Sequence, residues 1–278
     1  MKSRSKPIPN IHALFLVIFI IFIQAKSSFA QEVDNERDFD YSPDGNKGPR
    51  KWGEIKKEWG ACNNGDMQSP IDLSNERVVQ ISQPENMNFK ASNATFKNRG
   101  HDIQIKWIGD AGSIFINDTV YRLRYAHWHS PSEHTINGIR YDMELHLVHL
   151  TEDPEVKIAV IEILYTIGKS DYFLSKLMTN ISSMVGKRHV EMSLGIVDPN
   201  DIIIRSKRFY RYMGSLTIPP CTEGVIWTIN KVVKSVSKDQ VKLLREAVQD
   251  YAEENARPLQ QINNRGVHLY NYGSDEME

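Results

Sequence analysis

Apolar and polar residues alternate along short stretches of the chain from Trp52 onward, and turn residues separate these stretches. Ile103, Ile105 and Trp107 fall on one face of such a stretch, with the period of two that is typical of a half-buried strand. Strand-like patterns cover 101–107, 113–120, 121–129, 158–167 and 225–233, the last two as continuous apolar runs. No repeat or flexible linker interrupts the pattern, which therefore predicts one mainly β (α+β) domain with a large, mostly antiparallel sheet.

Two segments have the apolar period of helices instead. Ser170 is predicted to cap the first, whose apolar face is formed by Phe173, Leu174, Leu177, Ile181 and Met184. Ser237 and Gln240 have the spacing of a capping box at the start of the second, whose apolar face is formed by Val241, Leu244, Val248 and Tyr251. Each segment has a single apolar face, so both helices are expected to be peripheral to the sheet.

The N-terminus has the pattern of a secretory signal peptide. A basic start precedes an apolar run over 11–23, and a small-x-small ending predicts cleavage after Ala30. An uncleaved N-terminal anchor is the alternative, although the run is short for a membrane span. No later segment is long and apolar enough to cross a bilayer, so the mature chain is expected to have no membrane span.

Composition limits the class of protein and its partners. The 278 residues include 34 Lys+Arg and 35 Asp+Glu, and 40% are hydrophobic, which is ordinary for a globular chain and excludes a disordered acidic protein. A net charge of −1 argues against a dedicated nucleic-acid binder, which needs a basic surface. The predicted division is a signal peptide at 1–30, a polar lead-in at 31–38, the domain at 39–265 and an acidic tail at 266–278.

The two cysteines and three sequons fit a secreted chain. An oxidising compartment favours a disulfide between Cys62 and Cys221, which would close a loop of about 160 residues; two buried free thiols are the alternative. Sequons begin at Asn93, Asn117 and Asn180. About two would arise by chance, but a signal peptide would make all three usable acceptors of N-linked glycans.

Histidines cluster in one part of the sequence. Five of the nine fall between positions 127 and 149, a density that suggests a metal site. His127 and His129 lie on the same face of a predicted strand because successive side chains alternate between faces. In the next strand Glu144 and His146 share one face, and His149 points to the other.

A predicted hairpin brings these strands together. Asn137-Gly138 is the strongest hairpin signal in the chain and is predicted to join a strand that ends near Ser130 to a strand over 141–150. This arrangement places His146 beside the first two histidines. Three neutral imidazoles converging from a rigid sheet are typical of a catalytic zinc site with an open fourth position, and copper or cobalt accept similar ligands. A cluster of ordinary surface or core histidines is the alternative.

Several motifs together carry a resemblance to a known family. They are Gln68-Ser69-Pro70-Ile71, Gly100-His101, the segment 127–134 (HWHSPSEH), the segment 144–149 (ELHLVH) and the segment 214–220 (GSLTIPP). In this order they resemble the plant-type alpha-class carbonic anhydrases, over about 39–262. The resemblance implies a single domain with a sheet of about ten strands and a disulfide between Cys62 and Cys221.

The resemblance also implies an activity and its machinery. The activity is the reversible hydration of CO2 to bicarbonate and a proton, by attack of a hydroxide bound to Zn²⁺. His127, His129 and His146 are the implied metal ligands. Thr217 is implied to donate its hydroxyl to Glu133, because an ionised carboxylate only accepts hydrogen bonds, and to orient the hydroxide with its free lone pair. From the residues alone, Thr217 would be a turn residue.

Further roles follow from the same resemblance. Glu144 and Tyr125 would support ligand histidines, and His101 would shuttle protons, since imidazole titrates near neutral pH. Without the motif His101 would be a surface residue. The implied substrate-binding residues are Val148, Val160, Leu216, Thr217, Ile218, Val225 and Trp227, which would otherwise be ordinary core. His134 and His149 are expected to be hydrogen-bonded structural residues.

Three positions depart from the family pattern. Tyr125 stands where a glutamine commonly supports the first ligand, and Ile218 where a second threonine is frequent. Arg99 stands where an asparagine often lines the cleft. Since none of them removes a ligand, we expect metal binding to be intact and turnover to be reduced or product release altered.

Two other functions fit the same fold. A storage or binding protein with weak or no turnover, like the tuber storage proteins that resemble carbonic anhydrases, would be favoured by loss of a ligand histidine, and all three are present. A zinc esterase would need a larger pocket. Entry into the secretory pathway leaves the apoplast, a lumen, or the chloroplast stroma reached by the secretory route as expected locations. The oligomeric state does not follow from the sequence.

Overall fold

Strands make up most of the regular structure. The structure, a computed structural model, describes residues 32, 38–74, 76–81, 86–187, 189–248 and 252–272, so the predicted signal peptide lies outside the described residues. The α-helices of the described residues are α1 (Trp52–Ile55), α2 (Ala61–Asn64), α3 (Tyr172–Met184) and α4 (Lys238–Ala247), and short 3-10 helices cover Lys57–Trp59 and Pro199–Asp201. The strands are β1 (Asp72–Leu73), β2 (Arg77–Ile81), β3 (Met87–Phe89), β4 (Ser92–Asn98), β5 (Ile103–Trp107), β6 (Gly112–Ile116), β7 (Thr119–His129), β8 (Thr135–Ile136), β9 (Ile139–Arg140), β10 (Met143–Leu150), β11 (Ile158–Ile167), β12 (Glu191–Val197), β13 (Arg208–Ser215), β14 (Glu223–Asn230), β15 (Lys234–Val236) and β16 (His268–Tyr272).

One large sheet organises the domain. Within the described residues it has 13 strands, ten of them in the order β12-β4-β5-β7-β10-β11-β14-β13-β16-β2, with β15 beside β11 and the β3–β6 ladder beside β7. Most neighbours are antiparallel, as predicted, while β11 runs parallel to β14 and β15, and β16 runs parallel to β2. The predicted fold class is thus confirmed as a large mixed sheet with few helices.

Two tight turns differ from the prediction. Asn137 and Gly138 do form a turn, with φ of 50° and 76°, but it joins β8 to β9 in a small separate sheet with β1. The long strands β7 and β10 still pair antiparallel, across the segment that carries this turn. The predicted strand over 113–120 is wrong, because Asn117 and Asp118 adopt φ of 47° and 59° and turn the chain between β6 and β7. Asn and Asp are among the few residues that tolerate this left-handed conformation.

The helix predictions are confirmed except at one cap and at Val248, which was predicted in the second helix and follows its end with an extended backbone. Asp171, not Ser170, caps α3, accepting a hydrogen bond from Leu174 N over 2.8 Å. The Asp171 carboxylate accepts from the amide of the third helical residue, which is the bond that an N-cap side chain makes. Ser237 and Gln240 form the predicted capping box of α4, which ends at Ala247. The apolar face of α3 is buried as predicted, and Tyr251 lies outside the described residues.

The C-terminal segment is not wholly a tail. Residues 268–272 form β16, which lies between β13 and β2 in the sheet. The prediction of an acidic tail over 266–278 is therefore wrong for this part, because Leu269 is buried and the backbone completes two ladders. The sequence signal was the short alternating stretch HLYNY, whose burial also alternates.

The disulfide joins distant parts of the domain. Cys62 in α2 is bonded to Cys221, with the two Cα atoms 5.0 Å apart and 159 residues between them in sequence, so the predicted pairing is confirmed. The bond lies in an apolar cluster with Phe39, Trp52 and Ile218.

Other surface predictions concern the sequons and the membrane. Of the sequon asparagines, Asn93 and Asn117 are exposed and Asn180 is half-buried in α3. Among the described residues, no helix has the length and apolar character that a membrane crossing requires.

Candidate metal centre

Three histidines meet on one face of the central strands. His127 and His129 come from β7, and His146 lies directly opposite His127 on β10. All three are buried, and their ring centroids lie 4.6 to 5.0 Å apart. One nitrogen from each ring falls within 4.8 Å of the others. The structure therefore brings together the predicted ligand set, although the predicted hairpin turn does not connect the two strands directly.

The ring nitrogens are oriented by their outer partners. His129 donates its Nδ1–H to the backbone oxygen of Asn255 over 2.7 Å, and His146 donates its Nε2–H to Glu144 Oε1 over 2.5 Å. These bonds leave His129 Nε2 and His146 Nδ1 for the interior, and His146 Nδ1 lies 3.3 Å from His127 Nε2. Within the described chain, His129 Nε2 is buried without a hydrogen-bond partner. Three converging lone pairs of this kind fit a metal ion that prefers imidazole ligands.

Burial keeps two of the three histidines in the form that binds metal. It lowers the pKa of His127 well below its usual value and also lowers the pKa of His146, although Glu144 opposes the second effect. A neutral imidazole has a free lone pair, whereas a protonated one has none. The site is therefore arranged for metal binding at neutral pH.

Glu144 connects the triad to a buried polar network. Its Oε2 accepts hydrogen bonds from the backbone N–H groups of Glu133 and His134, each over 2.8 Å. Its Oε1 also lies 2.9 Å from His134 Nδ1, and His134 Nε2 lies 2.6 Å from the Tyr212 hydroxyl. Burial alone would raise the pKa of Glu144, but His134 and His146 outweigh it and hold the pKa well below its usual value. The carboxylate is thus ionised where it accepts from His146, as predicted for a supporting residue.

Glu162 is a site neighbour that sequence reasoning missed. It lies in β11 opposite His146, is fully buried, and places Oε2 2.8 Å from His134 Nδ1. Burial and the neighbouring Glu144 raise the pKa of Glu162 to about 8. The available signal was a single carboxylate inside the otherwise apolar run 158–165.

Glu162 predicts a pH dependence of stability. The folded protein keeps the Glu162 proton up to about pH 8, whereas the unfolded chain releases it near the ordinary value of 4.5. The folded state binds more protons in that range, so the free energy of unfolding should fall as pH rises, by at most about 1.4 kcal/mol per pH unit, and level off above the folded-state pKa. Urea unfolding of zinc-loaded protein from pH 5 to 8 should show a shallower decline for Glu162→Gln than for the parent. Glu155→Gln removes the same charge at an exposed position, so its free energy of unfolding should fall with pH as steeply as that of the parent. Equal dependence of this free energy on pH in all three proteins would contradict the prediction.

Glu133 lies beside the triad with one oxygen engaged. Its Oε1 accepts a hydrogen bond from Arg257 N over 2.8 Å, and its Oε2 lies 3.5 Å from His129 Nε2. Oε2 has no hydrogen-bond partner among the described residues. Thr217 is buried in the loop after β13, and no hydrogen bond of the described residues joins its hydroxyl to Glu133. The predicted bond between Thr217 and Glu133 stays a prediction.

An apolar wall adjoins His146. Trp227 on β14 packs with its ring centroid 4.8 Å from the His146 ring and donates Nε1–H to Ser215 O over 2.9 Å. The predicted pocket residues in the same buried cluster are Val148, Val160, Leu216, Val225 and Trp227. Ile218 differs, because it packs in the cluster around the disulfide. The sheet register produces this wall, since Val148 lies opposite Val160, and Val160 opposite Trp227.

Two predicted residues have surroundings that the sequence did not indicate. Tyr125 stacks its ring on His127, with centroids 6.0 Å apart, and His127 Nδ1 has no hydrogen-bond partner among the described residues. Tyr125 therefore contacts this ligand through its ring and not by accepting a hydrogen bond from it. His101 is fully buried, with its ring centroid 5.0 Å from that of Phe39 and its Nε2 3.7 Å from Asp102 Oδ2. Its predicted proton transfer must therefore pass through neighbouring groups and not directly to bulk water.

Comparisons with known proteins agree with this geometry. A model of the eukaryotic-type carbonic anhydrase family matches residues 47–271. A carbonic anhydrase, Nec1, of Nesocodon mauritianus is 49% identical over 92% of this chain and 93% of its own length. A crystal structure of dioscorin complexed with ascorbate has a TM-score of 0.81 and 42% identity, over 85% of this chain and 99% of that one. A hyperthermostable carbonic anhydrase from a hydrothermal vent chimney has a TM-score of 0.75 and 30% identity, over 84% of this chain and 100% of that one.

Proposed function

The chain belongs to the eukaryotic-type carbonic anhydrase family, and on this basis we propose that it catalyses the zinc-dependent, reversible hydration of CO2 to bicarbonate and a proton. The observation that carries the proposal is the convergence of the buried side chains of His127, His129 and His146 beside an apolar wall. A bound Zn²⁺ would act there as a Lewis acid that makes water acidic enough to ionise near neutral pH. Carbonic anhydrase is itself the standard example of this effect.

The protein side chains would hold and orient the reacting groups. The backbone oxygen of Asn255 and the carboxylate of Glu144 fix the His129 and His146 rings, which raises their basicity as ligands. Glu133 has Oε2 available to accept from the Thr217 hydroxyl. Thr217 would then have donated its only hydroxyl hydrogen and could only accept a hydrogen bond from the reacting oxygen. This would fix the orientation of the reacting oxygen.

The apolar wall would bind the substrate, and His101 would accept the proton. CO2 has no net charge and no hydrogen-bond donor, so a dry surface near Val148 and Trp227 would hold it where water is excluded. His101 would accept the released proton because imidazole titrates near neutral pH. Because His101 is buried beside Phe39, the proton would leave only if this contact opened or if a neighbouring group relayed it.

Stopped-flow measurement of CO2 hydration on the purified, zinc-replete secreted chain tests the proposal. Turnover well above the buffer rate, lost on chelation and restored by Zn²⁺, is the expected result. The similarity to dioscorin favours one second candidate, a storage or binding protein with weak or no turnover. One bound zinc per chain without turnover would make this candidate the better one, and ester hydrolysis faster than CO2 hydration would favour a zinc esterase.

Ile218 predicts a modest effect on turnover. Its side chain is buried against the disulfide cluster and supplies no hydroxyl next to Thr217. We expect Ile218→Thr to change kcat by about two- to tenfold, because a hydrogen bond near the product is typically worth about 1 kcal/mol. Ile218→Val, which keeps the site apolar, is the control for packing. Equal kcat in the parent and Ile218→Thr would show that this departure from the family pattern has no catalytic consequence.

We propose the secretory pathway as the route of this protein, with the apoplast or the chloroplast stroma as its destination. The signal-like N-terminus and the disulfide between Cys62 and Cys221 support this route. N-linked glycans on Asn93, Asn117 and Asn180 belong to the same proposal.

A further inference from the structure

A rigid, buried guanidinium lies at the edge of the imidazole triad. The Arg99 side chain, which follows β4, is 1% exposed. Its Nε donates to Asp102 Oδ1 over 2.7 Å, and its Nη2 donates to Asp102 Oδ2. Two parallel hydrogen bonds between an arginine and a carboxylate fix the plane of the guanidinium. Asp102 therefore determines where the remaining nitrogen, Nη1, points.

The carboxylate of Glu32 lies where Arg99 Nη1 can donate a hydrogen bond to it. Nη1 donates to Glu32 Oε2 over 3.0 Å, and Glu32 Oε1 lies 3.9 Å from His127 Nε2. The Glu32 side chain is 4% exposed, so this carboxylate is removed from water. One planar O–C–O group thus spans the distance from the arginine to a ring nitrogen of the triad.

The cavity around this carboxylate favours anions. It has a volume of about 50 Å³, and Arg99, Lys97 and Lys106 contribute to its wall. Glu32 and Glu191 are the carboxylates in that wall. Without Glu32, three cations would face one carboxylate of the lining and the partner carboxylate of Arg99. A cavity wall with more cations than carboxylates attracts small anions.

We propose that Arg99 forms a binding site for small carboxylate-type anions beside the metal triad, and that Glu32 fills this site as an internal ligand. The site selects a planar group with two oxygens, such as acetate; that bicarbonate is one of its occupants rests on the function proposed above. An external anion must displace Glu32. A tethered competitor acts at an effective concentration in the millimolar range, so Glu32 lowers the apparent affinity for every free anion of this class.

Calorimetric titration with sodium acetate tests the site directly. The secreted chain would be titrated in zinc-loaded and metal-stripped form, as the parent, as Glu32→Gln, and as Arg99→Asn combined with Asp102→Ala. The double variant removes both charges of the pair, because removing Arg99 alone would leave Asp102 buried without its partner. We expect Glu32→Gln to bind acetate about tenfold more tightly than the parent in both forms. The double variant should lose acetate binding in the metal-stripped form, with circular dichroism confirming that it is folded.

Glu191→Gln is the matched control. It makes the same change of charge in the same cavity wall, at an exposed side chain that begins β12. Its affinity for acetate should stay within about twofold of the parent. The proposal is overturned if Glu32→Gln binds no more tightly than Glu191→Gln, if acetate binds only to zinc-loaded protein, or if no variant binds acetate. The metal-stripped titration does not require turnover, so a failure of CO2 hydration would refute the proposed function and leave this result interpretable.

Discussion

His127→Ala should lose zinc and reduce CO2 hydration at least about a thousandfold, because a catalytic metal supplies several kcal/mol of stabilisation to the reaction. His127 is buried beside the other two histidines, with its ring centroid 5.0 Å from each of theirs. Two imidazoles would remain, which is fewer than the three protein ligands of catalytic zinc sites. Metal analysis should give one zinc per chain for the parent and far less for the variant. Stopped-flow kinetics would measure the matching loss of turnover.

His149→Ala is the matched control for that experiment. His149, on β10, is a fully buried histidine like His127, but it lies on the opposite face of the sheet and packs against Phe89, with ring centroids 5.7 Å apart. Its removal leaves a cavity of similar size and should cost stability without reducing the zinc content or turnover. Parent-like turnover of His127→Ala, or an equal loss of zinc from His149→Ala, would contradict the assignment of the ligands.

Replacing both cysteines by alanine should destabilise the protein by about 5 kcal/mol, according to the chain-entropy model for a loop of this length. The disulfide joins residues 159 apart in sequence, so it restricts much of the unfolded chain. For a domain of this size the loss corresponds to a fall in Tm on the order of 10–20 °C. Chemical unfolding of the parent and of Cys62→Ala combined with Cys221→Ala measures the difference.

The disulfide should also affect the site. Cys221 donates its backbone N–H to Ile218 O over 2.9 Å, which holds the loop that carries Thr217. We expect turnover of the double variant to fall even at temperatures where it is folded. The parent treated with reductant serves as the control, since reduction breaks the covalent link and keeps both cysteine side chains in place. A loss of stability below about 1 kcal/mol would show that the packing of the cluster, and not the covalent link, holds these segments.

Local periodicity was sufficient to place two of the three histidines on one face. His127 and His129 share a face because strand side chains alternate, and that rule needs no knowledge of the rest of the chain. The capping box of α4 was predictable for the same reason, since Ser237 and Gln240 lie three residues apart. The error at Asn117 arose because alternation continued across a turn that only the backbone conformation of two residues defines.

The partners of the ligands could not be predicted in this way. Asn255 is 126 residues from His129, and Arg257 is 124 residues from Glu133. Neither has a motif of its own in the chain. The same is true of Glu162, whose position beside His134 depends on the register between β10 and β11.

The sequence alone determined which residues are chemically suited to the site: three imidazoles on two strands, a pair of cysteines, and an arginine where the family often has asparagine. The tertiary structure decided how they are used. It selected the nitrogens that converge, buried His101 beside Phe39, and placed Glu32 on Arg99. The physical reason is one of range. Side-chain alternation and capping act over a few residues, whereas ring orientation, burial and ion pairing depend on groups that only strand order and packing bring together.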